Sequence, residues 1–151
     1  MKKLNSLLLA FAFLGVLQLA GCKKKDDPKP ASELIVKNWK VKEAKEDGTK
    51  VYDDPYAAGS DTKDYSRFKL EFTSATDVRL TEQNGDVITG KWTLTESDKK
   101  LVLSGLTPQP TGVTGNLEYT NVVVTDSELR FTRSSPNPKT GASSTEYVLF
   151  F

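Results

Sequence analysis

The sequence has no histidine and a single cysteine in 151 residues. Without histidine the chain has no imidazole general base, no serine-histidine-aspartate triad and no histidine ligand for a metal ion. Paired carboxylates are the remaining route to hydrolysis. The acidic clusters at residues 53–54 and 61–64 lie among glycine and proline, where aspartate is a common turn former. We therefore expect a protein that is not an enzyme and that has no metal site and no cofactor.

A strong excess of one charge is also missing, because 21 basic residues face 20 acidic ones. Every acidic residue follows residue 21, whereas Lys2 and Lys3 precede it, so the chain beyond residue 21 is slightly acidic. Nucleic acids are bound through concentrated positive charge. We expect no nucleic-acid partner.

The N-terminal segment has the order of a secretory signal. Lys2 and Lys3 supply positive charge, and residues 7–20 form an uncharged, mainly apolar run. This run is shorter than the roughly 20 apolar residues that a membrane-spanning helix needs, which favours an export signal over a transmembrane anchor. Together with the cysteine that follows at position 22, this order predicts that residues 1–21 are a lipoprotein signal peptide.

The lone cysteine stands at the end of that run, where residues 19–22, Leu-Ala-Gly-Cys, resemble the bacterial lipobox. The resemblance implies that the thiol of Cys22 accepts a diacylglyceryl group, so that Cys22 becomes the first residue of the mature protein. The alternative is an ordinary secretory signal with an incidental cysteine. Several acyl chains anchor a protein stably where one chain is marginal. With no second cysteine, no intramolecular disulfide is available.

Residues 22–30 are charged and contain proline, which predicts a flexible tether between the acylated Cys22 and a folded domain. The order Lys-Asp-Asp at residues 25–27 resembles the export signal of surface lipoproteins of the Bacteroidetes. The resemblance implies a lipid anchor in the outer membrane with display at the cell surface. The periplasmic face of that membrane is the alternative.

Residues 31–151 form the predicted domain, in which apolar and polar residues mostly alternate with the period of half-buried strands. A short helix is predicted at residues 32–37, with Ser32 as its N-cap. Residues 49–52 are a possible extra strand beside the first one. Turn residues separate eight predicted strands, at residues 39–45, 67–72, 78–80, 88–94, 101–103, 117–125, 129–131 and 147–151.

Eight sequential antiparallel strands predict an all-β fold, an eight-stranded up-and-down antiparallel barrel that removes sheet edges by closing on itself. A two-sheet β-sandwich is the alternative. The chain resembles the small lipocalin-like lipoproteins of Bacteroidetes, which implies a lipocalin-like barrel. The resemblance rests on the Cys22 anchor, a short apolar segment ending in a tryptophan strand at residues 34–41, an aromatic strand at 65–72, the segment Thr-Gly-Lys-Trp-Thr-Leu at 89–94 and an aromatic last strand.

The connections between strands differ in length at the two ends of such a barrel. In a meander the long segments 46–64, 105–115 and 134–144 lie at one end, whereas short turns lie at the other. Long loops gathered at one end indicate a functional rim. The tether and the short helix are predicted at the opposite end.

Alternation along the strands also selects the residues that point inward. Glu43, Glu82 and Arg133, with Ser66 and Thr145, are predicted at the open end. An apolar cup with polar groups at its mouth suits a small hydrophobic or amphiphilic ligand, and a lumen filled by side chains is the alternative. The deeper predicted ligand-binding residues are Phe68, Trp92, Tyr119, Phe131 and Tyr147.

Two functions of different classes remain open. One is a lipid-anchored barrel that binds a small hydrophobic or amphiphilic molecule. The other is a non-enzymatic structural or interaction lipoprotein that presents its loops to an envelope protein or a glycan. In both cases we expect a monomer that is held at the membrane by its lipid. An open or a filled lumen distinguishes the two.

Overall fold

The computed structural model describes residues 28–151, so the predicted signal peptide, Cys22 and most of the tether lie outside the described residues. One helical turn precedes nine strands. The elements are α1 Ala31–Leu34, β1 Asn38–Glu46, β2 Thr49–Asp53, β3 Lys69–Phe72, β4 Asp77–Thr81, β5 Val87–Thr95, β6 Lys100–Thr107, β7 Leu117–Val124, β8 Glu128–Arg133 and β9 Thr145–Phe150.

Eight of the strands form a closed ring. From β3 to β9 each strand pairs antiparallel with the next in the chain, β1 pairs with β3, and β9 pairs back with β1. The last pairing closes the sheet and leaves the ring without free edges. The predicted all-β, eight-stranded up-and-down barrel is confirmed, and the two-sheet sandwich is not formed.

Strand β2 is the extra strand that residues 49–52 suggested. It pairs with the second half of β1, whereas β3 pairs with the first half, from Asn38 to Lys40. The turn between β1 and β2 is Asp47-Gly48, with φ of 48° and 80°. Both values are left-handed, as a two-residue hairpin turn of this kind requires. The strand adds Val51 and Tyr52 to the core.

The helix is shorter than predicted and begins one residue earlier. It starts after Pro30, which takes the N-cap position that was predicted for Ser32 and makes no side-chain cap. The backbone carbonyls that would continue the helix bind the barrel instead. Trp39 donates its indole N–H to the carbonyl of Ile35 at 2.8 Å, and the N–H of Phe72 bonds to the carbonyl of Lys37 at 3.1 Å.

The two ends of the barrel differ as the loop lengths predicted. At one end Lys37, just after the helix, bonds to the carbonyl of Asp126 in the β7–β8 turn. At the other end Asp47 accepts the N–H groups of Ser143 and Ser144. The N-terminal helix therefore lies at the end with the tight turns, and the long connections gather at the opposite end. Within residues 28–151 no helix is long and apolar enough to cross a membrane.

Candidate functional site

Most of the predicted ligand-binding residues meet inside the half of the barrel that faces the long connections. Phe68 stacks on Tyr147 with 4.7 Å between ring centroids, and Phe131 lies 5.3 Å from Tyr147. Tyr119 lies 4.5 Å from Phe131, and Tyr65 lies 5.9 Å from Tyr147. All five rings are buried. We call these five residues the aromatic cluster.

A row of polar side chains adjoins the aromatic cluster and shares Tyr119 with it, at the mouth-facing ends of four neighbouring strands. The register pairs Glu46 with Thr145, Thr145 with Arg133, and Arg133 with Tyr119, so the four residues are side by side across β1, β9, β8 and β7. All four side chains are buried, although Glu46 and Arg133 are charged and Thr145 and Tyr119 carry hydroxyl groups. We call these four residues the polar row.

Arg133 is the unusual member of the polar row. Its side chain is 3% exposed, and it donates hydrogen bonds to the hydroxyl of Ser135 and to the carbonyl of Pro136, both at 3.2 Å. Within residues 28–151 it forms no ion pair with a carboxylate. A buried guanidinium is normally paired with an acid, because neutral oxygens compensate poorly for its lost hydration.

Its neighbour Thr145 is also unusual. The residue is fully buried, and its hydroxyl oxygen, which lies near the hydroxyls of Tyr65 and Tyr147, forms no hydrogen bond of regular geometry among the described residues. Buried polar groups are bonded in the large majority of cases, so each exception needs an explanation. The unsatisfied hydroxyl lies next to Arg133 in the register.

The hydroxyl groups of the aromatic cluster remain protonated. Burial raises the pKa of Tyr119 and of Tyr147, and the positive charge of Arg133 opposes part of that rise. Burial raises the pKa of Tyr65 as well, and its hydroxyl donates to the carboxylate of Glu46. Neutral tyrosines are hydrogen-bond donors, so the walls around Arg133 present donors at neutral pH.

The acidic groups near Arg133 have their own partners. Glu46 is bound by Lys63 and Tyr65. Glu82, just after β4 on the other side of the barrel mouth, is paired with Lys139 at 2.5 Å. Neither carboxylate is within ion-pair distance of the guanidinium of Arg133. Among the described residues, Arg133 therefore has no direct counter-ion, whereas Lys63 and Lys139 each have one.

Residues 134–144, which connect β8 to β9, lie over the polar row, and we call this segment the cover. Lys139 binds Glu82 and Asp86, the latter at 2.7 Å, on the β4–β5 turn. The carbonyl of Thr140 accepts a bond from Lys63 at 2.8 Å. The far end of the cover is held by the bonds from Ser143 and Ser144 to Asp47.

The predicted inward position of Glu43 is wrong. A β-bulge in β1 between Val41 and Glu43 adds one residue, which reverses the alternation beyond that point. Glu43 consequently lies on the outer surface, paired with Lys45 at 3.3 Å, and Glu46 takes the inward position at the mouth. Ser66 is exposed because β3 begins only at Lys69.

Trp92, another of the predicted ligand-binding residues, is buried as predicted but lies apart from the aromatic cluster. Its indole N–H donates to the carbonyl of Ser74 at 3.0 Å, and its ring meets the edge of Phe72 at 5.0 Å. Ser74 belongs to the short β3–β4 turn, so Trp92 closes the tight-turn end of the barrel. Strand β5 runs from one end of the barrel to the other. Alternation predicts that a side chain points inward, but it does not predict how close to either end that side chain lies.

Open space lies outside the barrel wall rather than in the aromatic cluster. A groove of about 240 Å³ runs over the outer faces of β1, β8 and β9, between charged side chains that include Glu43 and Arg130. A second groove, of about 290 Å³, lies between residues 112–116 and the start of the cover. The rings of the aromatic cluster touch one another, and Ser135 and Pro136 of the cover lie on Arg133, so a ligand reaches the polar row only if the cover moves.

No three acidic or cysteine side chains within residues 28–151 come together in a way that could hold a metal ion. The part of the chain that the structure describes is therefore characterised by the buried arginine and its hydroxyl neighbours rather than by a carboxylate cluster.

Eight antiparallel strands in chain order, closed by β1 and β9, give the architecture of lipocalin-like barrels. The structure is similar to that of a lipocalin-like protein from Bacteroides uniformis ATCC 8492, with a TM-score of 0.45 and 13% identity over 78% of this chain and 97% of that chain. It is also similar to an uncharacterized protein from Bacteroides eggerthii DSM 20697, with a TM-score of 0.43 and 16% identity over 76% and 97%. No protein-family model and no curated protein matches the chain.

Proposed function

We propose that this protein is a lipoprotein, anchored through acylated Cys22 in the outer membrane and displayed at the cell surface, whose barrel binds one small amphiphilic molecule beneath the cover. The observation that carries the binding proposal is the buried polar row, closed by a segment that polar contacts hold in place. The row supplies polar groups at the mouth and the aromatic cluster supplies an apolar wall below it. This is the composition of a small-molecule site.

The contacts of the cover support its role as a movable element. Only Asn137 and Ala142 of the cover are buried, and its links to the rest of the barrel are mainly hydrogen bonds and ion pairs, together with a contact of Pro138 against Gly112. The pair of Lys139 with the exposed Asp86 contributes about 0–1 kcal/mol, whereas the pair with the buried Glu82 costs more to break. Opening therefore exposes little apolar surface and breaks contacts that water can replace.

The position of the N-terminus supports access from the medium. The described chain enters the barrel at the tight-turn end, where Lys37 contacts the β7–β8 turn. A tether that joins Cys22 to this end leaves the cover on the side away from the membrane. A ligand would then reach the mouth without crossing the lipid surface.

The binding proposal is tested with a mature chain that carries Cys22→Ser, so that no acyl chain competes for the barrel. Lipophilic fluorescent probes are titrated, and probe emission is followed because both tryptophans lie at the tight-turn end. We expect saturable one-to-one binding. Tyr147→Trp adds bulk to the aromatic cluster and weakens binding, whereas Val123→Trp, at a position 49% exposed, leaves it unchanged. Absence of saturable binding across the panel would contradict the proposal.

The anchor is tested in cells by fractionation and by surface proteolysis. We expect the wild-type chain in the outer-membrane fraction, labelled by a fatty-acid tracer and cleaved by protease added to intact cells. Cys22→Ser removes the label and releases the chain from the membrane. Membrane retention of the unlabelled Cys22→Ser chain would refute the lipid anchor, and protection from protease in intact cells would favour the periplasmic face.

The ring contacts of the aromatic cluster favour a second candidate, an interaction lipoprotein with a filled barrel. In that case the long connections are the working surface. Tyr56, which is 42% exposed and stacks on Tyr52 with 6.3 Å between centroids, is a side chain that could contact an envelope protein or a glycan. The probe titration separates the two candidates, because a filled barrel binds none of the panel.

A further inference from the structure

Resting on the proposed function, we propose that the bound molecule carries a single carboxylate and that Arg133 binds it. In the closed structure the hydroxyl of Ser135 and the carbonyl of Pro136 occupy the donor groups that the carboxylate would use. Both belong to the cover. Movement of the cover that admits a ligand would therefore also free the guanidinium to receive it.

The charge of Arg133 is the first argument. Placing a charged group in the barrel costs several kcal/mol unless a counter-ion compensates it. The neighbouring Lys63 and Lys139 each have a carboxylate partner, Glu46 and Glu82, whereas Arg133 has neutral oxygens alone among the described residues. A ligand carboxylate would supply the missing negative charge in a two-oxygen geometry that matches the guanidinium fork.

The hydroxyl groups around Arg133 are the second argument, and they are independent of its charge. Thr145, its register neighbour on β9, is fully buried, and its hydroxyl lies near those of Tyr65 and Tyr147 without forming a hydrogen bond of regular geometry within the described residues. Tyr119, its register neighbour on β7, is buried and protonated. Hydroxyl donors on both sides of a guanidinium suit an acceptor-only group such as a carboxylate.

The surroundings favour a singly charged acid over a phosphate. Lys63 and Lys139 already balance the buried Glu46 and Glu82, so the one positive charge left over is that of Arg133, which a single carboxylate balances and a doubly charged phosphate exceeds. Below the polar row the wall consists of aromatic rings, among them Phe131 and Tyr147. An apolar chain that follows the carboxylate would lie against these rings.

Three probes of equal chain length and different head groups test the proposal: decanoate, decanol and decyltrimethylammonium. Each is titrated calorimetrically, below its aggregation concentration, into the mature chain that carries Cys22→Ser. We expect decanoate to bind at least about tenfold more tightly than decanol, because charge-assisted hydrogen bonds exceed neutral ones by this order. The cation should bind most weakly.

The variants assign the preference to Arg133. Arg133→Met should remove the preference for decanoate and leave decanol binding within about threefold of its wild-type value, since a buried charge replaced by an apolar side chain of similar length is tolerated. Arg130→Met is the matched control. Arg130 lies three residues earlier on the same strand and is exposed, so its loss should change neither probe. Circular dichroism verifies that each variant is folded.

Thr145→Val is the second variant, because it keeps the shape of the buried side chain and removes its hydroxyl. It should weaken decanoate by about threefold or more without changing decanol. Equal binding of decanoate and decanol by the wild-type chain, or an unchanged preference in Arg133→Met, overturns the carboxylate assignment and leaves the proposed function standing. Binding of none of the three probes overturns both.

Discussion

At the scale of single residues, Trp39 holds the tight-turn end of the barrel together. Its side chain is fully buried, donates to the carbonyl of Ile35, and meets the ring of Phe151 edge-on at 5.6 Å. We expect Trp39→Ala to lower the free energy of unfolding by about 3–5 kcal/mol. Trp39→Phe should cost less, because it keeps most of the packing and loses the hydrogen bond, worth about 1 kcal/mol.

Urea unfolding, followed by the emission of the remaining Trp92, measures these changes. Lys40→Ala is the control, because Lys40 is the exposed neighbour of Trp39 on β1 and its loss should change stability by less than about 0.5 kcal/mol. A Trp39→Ala chain as stable as this control would show that the indole does not fix the end of the barrel.

Asp47 joins the β1–β2 turn to the cover, and a matched pair of variants separates its two roles. The residue has a left-handed φ of 48°, and its carboxylate accepts the N–H groups of Ser143 and Ser144. Asp47→Asn retains an oxygen acceptor and tolerates this φ, so we expect little loss. Asp47→Ala loses the acceptor and is strained at this φ, so the midpoint of urea unfolding should fall by the equivalent of about 1–2 kcal/mol. Equal stability of the two variants would contradict this account.

Alternation in the sequence predicted the burial of single residues well wherever a strand is regular. Phe68, Glu82, Tyr119, Phe131 and Arg133 are all buried. The prediction for Glu43 failed because the bulge in β1 falls in the run Lys-Val-Lys-Glu-Ala-Lys-Glu, which contains no glycine or proline that would indicate a bulge. Because of the same bulge, alternation did not predict that Glu46 points inward. Its contacts with Lys63 and Tyr65 in the structure show this position.

At the scale of elements, the cover is the part of the barrel that should open most readily. Lys139 binds two carboxylates on the β4–β5 turn, and Lys139→Met removes both ion pairs. We expect amide hydrogen exchange in residues 134–144 to accelerate more than exchange in β5 and β6, while the free energy of global unfolding falls by about 3 kcal/mol because the buried carboxylate of Glu82 loses its partner.

Lys99→Met is the control for this prediction, because Lys99 is exposed in the β5–β6 turn at the opposite end of the barrel. Its exchange pattern should match that of the wild type. If Lys139→Met instead accelerated exchange equally in β5, β6 and the cover, the ion pairs would stabilise the barrel as a whole and the cover would not be an independent element.

Most elements were predictable because strands and turns are local in sequence. The alternating apolar residues located all eight ring strands, and the lengths of the connections gave the placement of the cover at the end away from the N-terminus. The helix was predicted too long, because its end depends on bonds from Trp39 and Phe72 to its last carbonyls. These are tertiary contacts, which a pattern within one segment does not contain.

At the scale of the whole molecule, the barrel could be inferred from the sequence, but the character of its interior could not. The sequence predicted that Arg133 points inward. It gave no sign that the partners of Arg133 are oxygens of the cover, or that the acids nearest to it are held by Lys63 and Lys139. An uncompensated charge is a property of the assembled polar row, since it depends on which strands become neighbours.

The buried tyrosines make the stability of the whole barrel depend on alkaline pH. Burial raises the pKa of four tyrosines above the ordinary value of 10.0: that of Tyr52 to about 12, and those of Tyr65, Tyr119 and Tyr147 as well. As the pH passes 10, the unfolded chain loses these protons whereas the folded barrel keeps them. The free energy of unfolding should therefore be unaffected by these groups below pH 10 and should fall steadily above it.

A parallel titration by tyrosinate absorbance and circular dichroism tests this dependence. The four buried tyrosines should contribute absorbance only as the circular dichroism of the barrel is lost. The absorbance change from these four residues should therefore have the same midpoint as the loss of circular dichroism. In Tyr119→Phe, which keeps the ring and removes one buried ionisable group, the decline above pH 10 should be less steep. If all tyrosines ionised while the circular dichroism stayed native, the hydroxyls would be in contact with water, and the closed arrangement of cover, polar row and aromatic cluster would not exist in solution.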